Sequence, residues 1–282
     1  MSWSLHGKTI FITGAARGIG AEAAKQLRAK GARIALAGLE PELLEQRASE
    51  LGGDTAFFEA DVSDRDAIAS AVDEAAERFG GLDVVIANAG VAGGGPVAHM
   101  DPDAFETIID VNLLGVYRTV RAALPHVTAR GGYVLPVASL AAALHGPMMS
   151  AYAASKAGVE AFADSLRIEV RHTGTAVGCA YFSFIDTDMV RRGFERASAQ
   201  RAKERLRGPL RPPPVSVAGA AIARGVEKRA RHVYAPRWVL PALYLRTLLQ
   251  PLSERGASDE EIVETIRLAA QEPTELTTPQ RR

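Results

Sequence analysis

The sequence predicts an α/β fold in which a doubly wound parallel sheet of about seven strands carries helices on both faces, followed by a C-terminal helical extension. Short apolar runs alternate with helix-length amphipathic stretches along the first 235 residues. A glycine-rich turn joins the first of these runs to the first helical stretch. No Gly/Ser linker or internal repeat divides the region, so it is expected to form one domain.

The predicted strands are short apolar runs rich in β-branched residues. They cover residues 9–13, 33–37, 56–59, 84–87, 133–138, 176–180 and 232–235. Each run is separated from the next by a stretch long enough for a crossover, and such crossovers are right-handed and join parallel strands. A sheet covered on both faces follows from this order.

Amphipathic stretches between the strands predict the helices. They cover residues 18–30, 41–51, 64–79, 103–129, 151–172 and 216–229, with a further short helix at 259–270. Asp64 and Asp103 suit helix N-termini, and Gly31, Gly52 and Gly80 suit helix ends. These signals agree with the boundaries that periodicity alone suggests.

Composition narrows the class of protein. The chain has 282 residues, of which 47% are apolar and 23% are charged, an ordinary globular balance. Its formal net charge is zero, so no whole-chain field favours nucleic acid, and we expect no nucleic-acid partner. The single cysteine, Cys179, excludes an intramolecular disulfide framework and a multi-cysteine metal site, and its apolar surroundings favour core packing. No bound metal is expected.

The two ends of the chain bear on location and organisation. The N-terminus lacks the basic and apolar regions of a signal peptide, so we expect a cytoplasmic protein. We treat residues 1–236 as one domain that includes a variable segment at 188–211. Residues 237–282 form the helical extension and a polar tail.

A glycine-rich turn lies where the first strand meets the first helix. Residues 13–20 read Thr-Gly-Ala-Ala-Arg-Gly-Ile-Gly. Glycines there permit tight backbone angles and let main-chain N–H groups approach a pyrophosphate at the helix N-terminus. The strand-to-helix position makes the pattern specific for a dinucleotide. Two later strand ends, at 61–62 and 88–90, would lie at the same edge of the sheet.

Tyr152 and Lys156 lie four residues apart at the start of a predicted helix, and Ser139 ends an apolar run upstream. Positions i and i+4 share one helix face, so the ammonium can lie beside the phenol. The ordinary pKa of a phenol is about 10. A neighbouring positive charge favours phenolate and lowers that pKa. Tyr152 is therefore a candidate general acid/base.

Together these residues resemble the classical short-chain dehydrogenase/reductase family, from about residue 5 to residue 236. The family's Thr-Gly-x-x-x-Gly-x-Gly motif is matched at 13–20, and its Asn-Ala-Gly motif at 88–90. Its catalytic tetrad is matched by Asn112, Ser139, Tyr152 and Lys156. The resemblance implies a Rossmann-like catalytic domain at 1–236 that binds NAD or NADP, with 188–211 as its substrate lid.

The resemblance also implies roles for individual side chains. Tyr152 would exchange a proton with the substrate oxygen, and Ser139 would hold that oxygen. Lys156 would lower the tyrosine pKa and bind the cofactor ribose, and Asn112 would hold a water that connects Lys156 to solvent. Besides Tyr152 and Lys156, the positions carried over for cofactor binding are Gly14, Ala16, Arg17, Gly18, Ile19, Gly20, Gly38, Leu39, Glu40, Asp61, Val62, Asn88, Ala89, Gly90, Ile185 and Thr187.

Two departures from the family pattern concern the cofactor. Residues 182–183 are Phe-Ser where the family commonly has Pro-Gly, which changes the backbone angles that are easy beside the nicotinamide. At the end of the second strand, Gly38 replaces the acidic residue typical of NAD binding, and Leu39 replaces the arginine typical of NADP binding. Arg17 could meet a 2′-phosphate, whereas Glu40 would repel one. We favour NAD slightly over NADP.

Two segments bear on the substrate. Residues 145–149 include two methionines, which suit an adaptable apolar pocket wall and equally suit core filling. The charge of the lid segment 188–211 suits either the binding of an anionic substrate tail or a helix exposed to solvent. Its basic residues are Arg191, Arg192, Arg196, Arg201, Lys203, Arg205, Arg207 and Arg211.

The extension at 237–252 is apolar but interrupted by Pro241, Arg246 and Pro251, and it is too short to span a bilayer. It favours a subunit contact or packing against the lid, with weak peripheral contact to lipid as the other interpretation. We expect a homo-oligomer, either a dimer or a tetramer.

The functional hypothesis is an NAD(P)-dependent oxidoreductase that interconverts a secondary alcohol and a carbonyl on a mainly apolar small molecule. The alternative is a dinucleotide-binding regulatory or scaffold protein without turnover, favoured if residues 182–183 misplace the nicotinamide. The intact Ser139, Tyr152 and Lys156 argue against that alternative. The fold alone also allows an epimerase or a dehydratase.

Overall fold

The computed structural model describes residues 3–199, 204, 208–255, 258–272 and 276. Its main sheet has six parallel strands in the order β3-β2-β1-β4-β5-β6. These are β1 (Thr9–Thr13), β2 (Arg33–Gly38), β3 (Thr55–Glu59), β4 (Val84–Ala87), β5 (Tyr133–Pro136) and β6 (Ala176–Val177). β7 (Cys179–Phe182) pairs in parallel with β8 (His232–Ala235). The predicted doubly wound parallel sheet is confirmed.

The sixth predicted strand is interrupted at Gly178. A parallel bridge joins Val137, just after β5, to Ala180 in β7, so the strand layer continues past the interruption. A Cβ atom on Gly178 would overlap the Tyr133 hydroxyl and the Ala230 carbonyl. The interruption therefore lies where the Tyr133 side chain from the neighbouring β5 packs against the backbone of Gly178.

Helices cover both faces of the sheet. They are α1 (Gly18–Arg28), α2 (Pro41–Leu51), α3 (Arg65–Phe79), α4 (Pro102–Ile109), α5 (Gly115–Ala129), α6 (Ser150–Glu169), α7 (Asp188–Gly193) and α8 (Val215–Lys228). Along β1, Phe11 packs into one buried cluster while Ile10 and Ile12 pack into the other. This alternation is the two-residue period of a strand buried on both faces.

The caps agree in part with the predicted boundaries. Asp64 accepts hydrogen bonds from the N–H groups of Asp66 and Ala67 and caps α3, and Gly80 ends that helix in the left-handed conformation at φ 72°. At α4 the N-cap is Asp101, and Asp103 lies in the first turn, an N-terminal position as predicted.

The long helix predicted over 103–129 is divided into three parts. A π-helical turn, Asp110–Leu114, separates α4 from α5. Such turns are uncommon and often occur at functional sites. This one carries Asn112, and it is the largest difference between the predicted and observed helices.

The C-terminal extension folds into α9 (Val239–Tyr244), α10 (Arg246–Glu254) and α11 (Asp259–Ala269). Val239 and Leu243 pack into the core, whereas Leu248 and Leu252 are exposed. Ser258 caps α11 in a capping box with Glu261. Within the described part of the chain, no helix has both the length and the hydropathy that crossing a membrane requires.

Candidate active site

A cleft opens at the carboxyl ends of the sheet strands. Its walls come from the turns that follow β1 to β5 and β7, together with the start of α6 and of α7. The carboxyl edge is where doubly wound sheets hold ligands, because the loops of neighbouring strands diverge there. The structure thus brings the separate motifs of the sequence into one cavity.

The glycine turn after β1 forms a bare backbone cradle in this cleft. Gly14 has φ 63°, and a Cβ atom added to it would lie 2.8 Å from the Ala89 Cα atom. Gly18 has φ 57° and faces the Thr187 side chain across the cleft. A Cβ on Gly20 would overlap the Gly14 carbonyl oxygen. The turn therefore needs glycine at these positions, and its geometry fits a dinucleotide pyrophosphate.

Asn88 holds this turn in place. Its side-chain Nδ2 donates to the carbonyl oxygens of Thr13 at 3.0 Å and Gly14 at 3.2 Å. The main-chain N–H groups of Asn88 and Ala89 both donate to the Thr13 hydroxyl, at 3.0 and 3.1 Å. The motif at 88–90 thus acts on the backbone of the glycine turn as well as lining the cleft.

Arg17 and Glu40 form an ion pair at the end of the cleft beside β2. The Arg17 Nε atom donates to the Glu40 Oε2 atom at 3.1 Å, and Nη2 contacts Oε1. Both side chains are partly exposed and both line the cleft, with Gly38 and Leu39 beside them. The carboxylate of Glu40 therefore points into the cleft, with the guanidinium as its partner.

Ser139 joins the wall of the cleft to β7. Its hydroxyl accepts from the Ala141 N–H at 3.1 Å and donates to the Phe182 carbonyl oxygen at 3.3 Å, and it lines the cleft together with Tyr152. Burial raises the pKa of Tyr152 above its ordinary value, and the Ser139 hydroxyl lowers it by less. The sequence predicted a lowered pKa for Tyr152. That prediction is wrong, because the loss of hydration raises the pKa of the phenol by more than Ser139 lowers it.

Lys156 lies one helical turn beyond Tyr152, as the spacing predicts. Its side chain is 4% exposed, its Nζ atom donates to the Val137 carbonyl oxygen at 2.9 Å, and Nζ lies 5.7 Å from the centroid of the Tyr152 ring. Burial lowers the pKa of Lys156 to about 8, because a charged ammonium loses its hydration there.

Asn112 is fully buried, and its side chain is already engaged. The Oδ1 atom accepts from the Val91 N–H at 2.8 Å, and Nδ2 donates to the Val91 carbonyl at 2.9 Å and to the Ser155 hydroxyl at 3.1 Å. The amide therefore joins the loop after β4 to α6. These contacts occupy both donor hydrogens of the Asn112 amide.

The model of the family described as "short chain dehydrogenase" matches residues 8–198, more than half of the chain. The chain belongs to the short-chain dehydrogenase/reductase family. It is therefore an NAD(P)-dependent oxidoreductase of a class that acts on CH–OH donors.

Several relatives of this short-chain dehydrogenase cover most of their own length in the match. Nodulation protein G of Rhizobium meliloti (strain 1021) is 34% identical over 66% of this chain and 77% of its own. The 3-oxoacyl-(acyl-carrier-protein) reductase of Chlamydia pneumoniae is 32% identical over 67% of this chain and 78% of its own. The dehydrogenase/reductase SDR family member 7B of Bos taurus is 32% identical over 85% of this chain and 77% of its own.

In this short-chain dehydrogenase the Phe-Ser departure leaves the backbone in a regular path. Phe182 ends β7, and the Ser183 N–H donates to the Ala235 carbonyl at 3.1 Å, so the strand pairing extends one residue further. Ile185 is buried, and the Thr187 hydroxyl accepts from the Val190 N–H at 3.4 Å and caps α7. Pairing with β8 thus replaces the constraint that Pro-Gly would impose.

The cleft collects most of the residues named from the sequence. Gly20 and Asn112 are the exceptions, since both act through packing and hydrogen bonds behind the wall. Asp61 lines the cleft and accepts from the Ser63 N–H at 2.8 Å, and Val62 lines it beside Asp61. The lining residues that sequence reasoning missed are Ala60, Val91, Val111, Val137, Ala138, Met189 and Val190. They are mostly apolar residues at strand or loop ends, a signal too general to single them out.

The positive charge of the basic segment 188–211 is partly neutralised among its described residues. Arg191 forms ion pairs with Asp186 and Asp188 at 2.6 and 2.7 Å, and the hydrogen bond from Arg191 holds the pKa of Asp188 below its usual range. Arg201, Lys203, Arg205 and Arg207 lie outside the described residues. Cys179 is a buried core residue, as predicted, and burial raises its pKa to about 12.

Proposed function

We propose that this short-chain dehydrogenase interconverts a secondary alcohol and a carbonyl on a mainly apolar small molecule, with Tyr152 as the general acid/base. One observation carries the proposal. Tyr152 lines the cleft together with Ser139, and the buried ammonium of Lys156 lies 5.7 Å from the centroid of the Tyr152 ring. The same cleft contains a glycine turn whose shape suits a dinucleotide.

Each side chain has a defined part in the proposed reaction. A bound nicotinamide supplies the hydride during reduction or accepts it during oxidation. Ser139 orients the carbonyl oxygen of the substrate, and the Tyr152 O–H donates its proton to that oxygen as the alcohol forms. The Lys156 ammonium, fixed by Val137, then stabilises the phenolate that remains. Oxidation runs through the same groups in reverse.

Apolar groups in the wall of the cleft support a mainly apolar substrate. Phe182, Met189 and Val190 line the cleft, and the flexible thioether of Met189 suits substrates of different shapes. The described lining does not include residues 145–149, which the sequence had offered as an apolar wall. Two relatives are named as reductases, of 3-oxoacyl-(acyl-carrier-protein) and of versicolorin, which supports a carbonyl as the oxidised substrate.

The proposed cofactor is NAD. The Glu40 carboxylate points into the cleft and can accept a hydrogen bond from a ribose 2′-hydroxyl, whereas it repels a 2′-phosphate. Arg17, the side chain best suited to that phosphate, is already paired with Glu40. Binding of NADP would require this pair to separate.

We also propose a domain organisation and an oligomeric state for the chain. Residues 1–236 would form the catalytic domain, with 188–211 as its lid and 237–282 as an extension. A homo-oligomer would cover exposed apolar side chains such as Leu114 and Tyr117 near α5. Sedimentation of the purified chain tests this, since a species with the mass of one chain at all concentrations would reject it.

Turnover assays test the function. The purified chain is titrated with NADH and NADPH, and NADH oxidation is then followed with a panel of ketones, with NAD⁺ and secondary alcohols for the reverse direction. Turnover of apolar members of the panel is expected. Cofactor binding without turnover across the whole panel would instead favour the regulatory or scaffold alternative.

A further inference from the structure

The C-terminal extension contacts the loop through which the chain enters α6. The His145 N–H donates to the Gln250 Oε1 atom at 2.9 Å, and the Gln250 Nε2 atom lies 3.3 Å from the His145 carbonyl oxygen, to which it donates. One side-chain amide on α10 thus satisfies both main-chain groups of one loop residue. Such a two-way contact fixes the position and orientation of the backbone, which a single hydrogen bond does not.

The loop held by Gln250 is strained and leads directly to Tyr152. Met148 has φ 61°, a left-handed conformation that residues with a side chain seldom adopt and that persists only when its surroundings impose it. The next residue, Met149, accepts from the Ala153 N–H at 2.7 Å and so closes the first turn of α6. A change in the loop is therefore transmitted to the turn that carries the phenol.

Hydrogen bonds connect this loop to the lid. The Gly95 N–H donates to the Met148 carbonyl at 3.0 Å, and a Cβ on Gly94 would lie 2.7 Å from the same oxygen. The Arg196 Nη1 atom donates to the Gly94 carbonyl at 3.0 Å. In the lid, Ser198 donates through its hydroxyl and its N–H to Glu272, at 2.5 and 3.2 Å.

These contacts connect four segments in series. They run from α10 through the loop before α6 and the loop after β4 to residues 196–198, and from there to Glu272 in the segment that follows α11. We propose that Gln250 is a positioning residue for the reaction, because it fixes the loop that sets the first turn of α6, the turn that carries Tyr152. This inference rests on the proposed function, since it assigns Gln250 a part in holding Tyr152 and the carbonyl substrate together.

Amide hydrogen exchange tests the contact without a substrate. In Gln250→Ala we expect the His145 amide to exchange about tenfold faster, the change that follows from losing a hydrogen bond of about 1.4 kcal/mol. The Gly95 amide, which does not touch Gln250, should also exchange faster. The matched control is Glu254→Ala, which removes the other hydrogen bond of the Gln250 amide, at 3.0 Å, and should leave both amides unchanged. Wild-type exchange at both amides in Gln250→Ala would overturn the proposal.

Kinetics tests the consequence. With the best ketone of the panel, Gln250→Ala should raise KM about threefold to tenfold, while the Kd of NADH stays at the wild-type value because the glycine turn is untouched. Gln250→Glu keeps the acceptor oxygen and loses the donor, so its KM should lie between the KM of the wild type and that of Gln250→Ala. An unchanged KM, or an equal rise in the Kd of NADH, contradicts the positioning role. If the wild type turns over no carbonyl, the proposed function fails, and the exchange result still decides whether Gln250 holds the loop.

Discussion

The ammonium nitrogen of Lys156 lies 5.7 Å from the centroid of the Tyr152 ring, in a part of the cleft that desolvates both groups. Burial raises the pKa of the phenol and lowers that of the ammonium to about 8. At neutral pH the protein therefore holds a protonated phenol beside a charged amine that is costly to bury. Both properties have measurable consequences.

The first prediction concerns stability. Lys156→Met should abolish turnover and raise the free energy of unfolding at pH 7 by about 1 kcal/mol. A pKa reduced from 10.5 to about 8 corresponds to a burial cost of about 3 kcal/mol, and losing the hydrogen bond to Val137 offsets part of the gain. Urea denaturation measures the difference, with the exposed Lys25→Met as the matched control.

The pH dependence of that difference has a definite sign. Below about pH 8 Lys156 is charged in both states, so the cost is fully present. Between about 8 and 10.5 the folded protein sheds the proton while the unfolded chain keeps it, so wild-type stability recovers relative to Lys156→Met. A difference in stability that stays constant over this window would contradict the buried, destabilised ammonium.

The second prediction concerns the pH dependence of turnover. Because burial raises the pKa of Tyr152, the phenol keeps its proton at neutral pH and can donate it to a carbonyl. Reduction should therefore show a plateau in kcat/KM from about pH 6 to the Lys156 pKa of about 8, whereas oxidation should rise with pH over that range as phenolate forms. Reduction that falls steadily between pH 6 and 7 would point to a different proton donor.

The third prediction concerns cofactor choice. Glu40→Gln removes the carboxylate that pairs with Arg17, which frees the guanidinium for a 2′-phosphate. The ratio of the Kd for NADPH to the Kd for NADH should fall about tenfold, the effect of about 1.4 kcal/mol. Fluorescence titration measures both constants, and Glu42→Gln on the exposed face of α2 is the control. An unchanged ratio would show that Glu40 does not determine the preference between NADH and NADPH.

The fourth prediction concerns Asn112. Asn112→Ala leaves both main-chain groups of Val91 without their partner in a buried position. An unpaired buried group costs about 1 to 3 kcal/mol, so the free energy of unfolding of the variant should be about 3 kcal/mol lower than that of the wild type. Glu106→Ala, at an exposed position on the preceding helix, is the control. Stability within about 0.5 kcal/mol of the wild type would show that the amide is not a structural link.

The local features of the site were predictable, because their geometry depends on neighbours in sequence. The glycine turn is dictated by backbone angles within residues 13–20, and helical periodicity alone puts Lys156 on the same face as Tyr152. The doubly wound parallel sheet followed from the alternation of apolar runs with amphipathic helices. These inferences need no knowledge of which distant residues meet.

The features that escaped prediction depend on distant contacts. The interruption at Gly178 comes from the Tyr133 side chain of a neighbouring strand. The π-helical turn around Asn112 coincides with hydrogen bonds to Val91 and Ser155. The pairing of Arg17 with Glu40 joins two separate turns. Side-chain choices of this kind are set by tertiary packing, which periodicity does not report.

The most direct test of the central claim is the rate of ketone reduction by Tyr152→Phe beside the wild type at saturating NADH. The substitution removes only the phenolic O–H, so the Kd of NADH and the unfolding curve should stay close to wild type. General acid catalysis contributes about 100-fold to 10,000-fold, and kcat should fall at least about 100-fold. A Tyr152→Phe enzyme that reduces the ketone at the wild-type rate would contradict the assignment of Tyr152 as the proton donor.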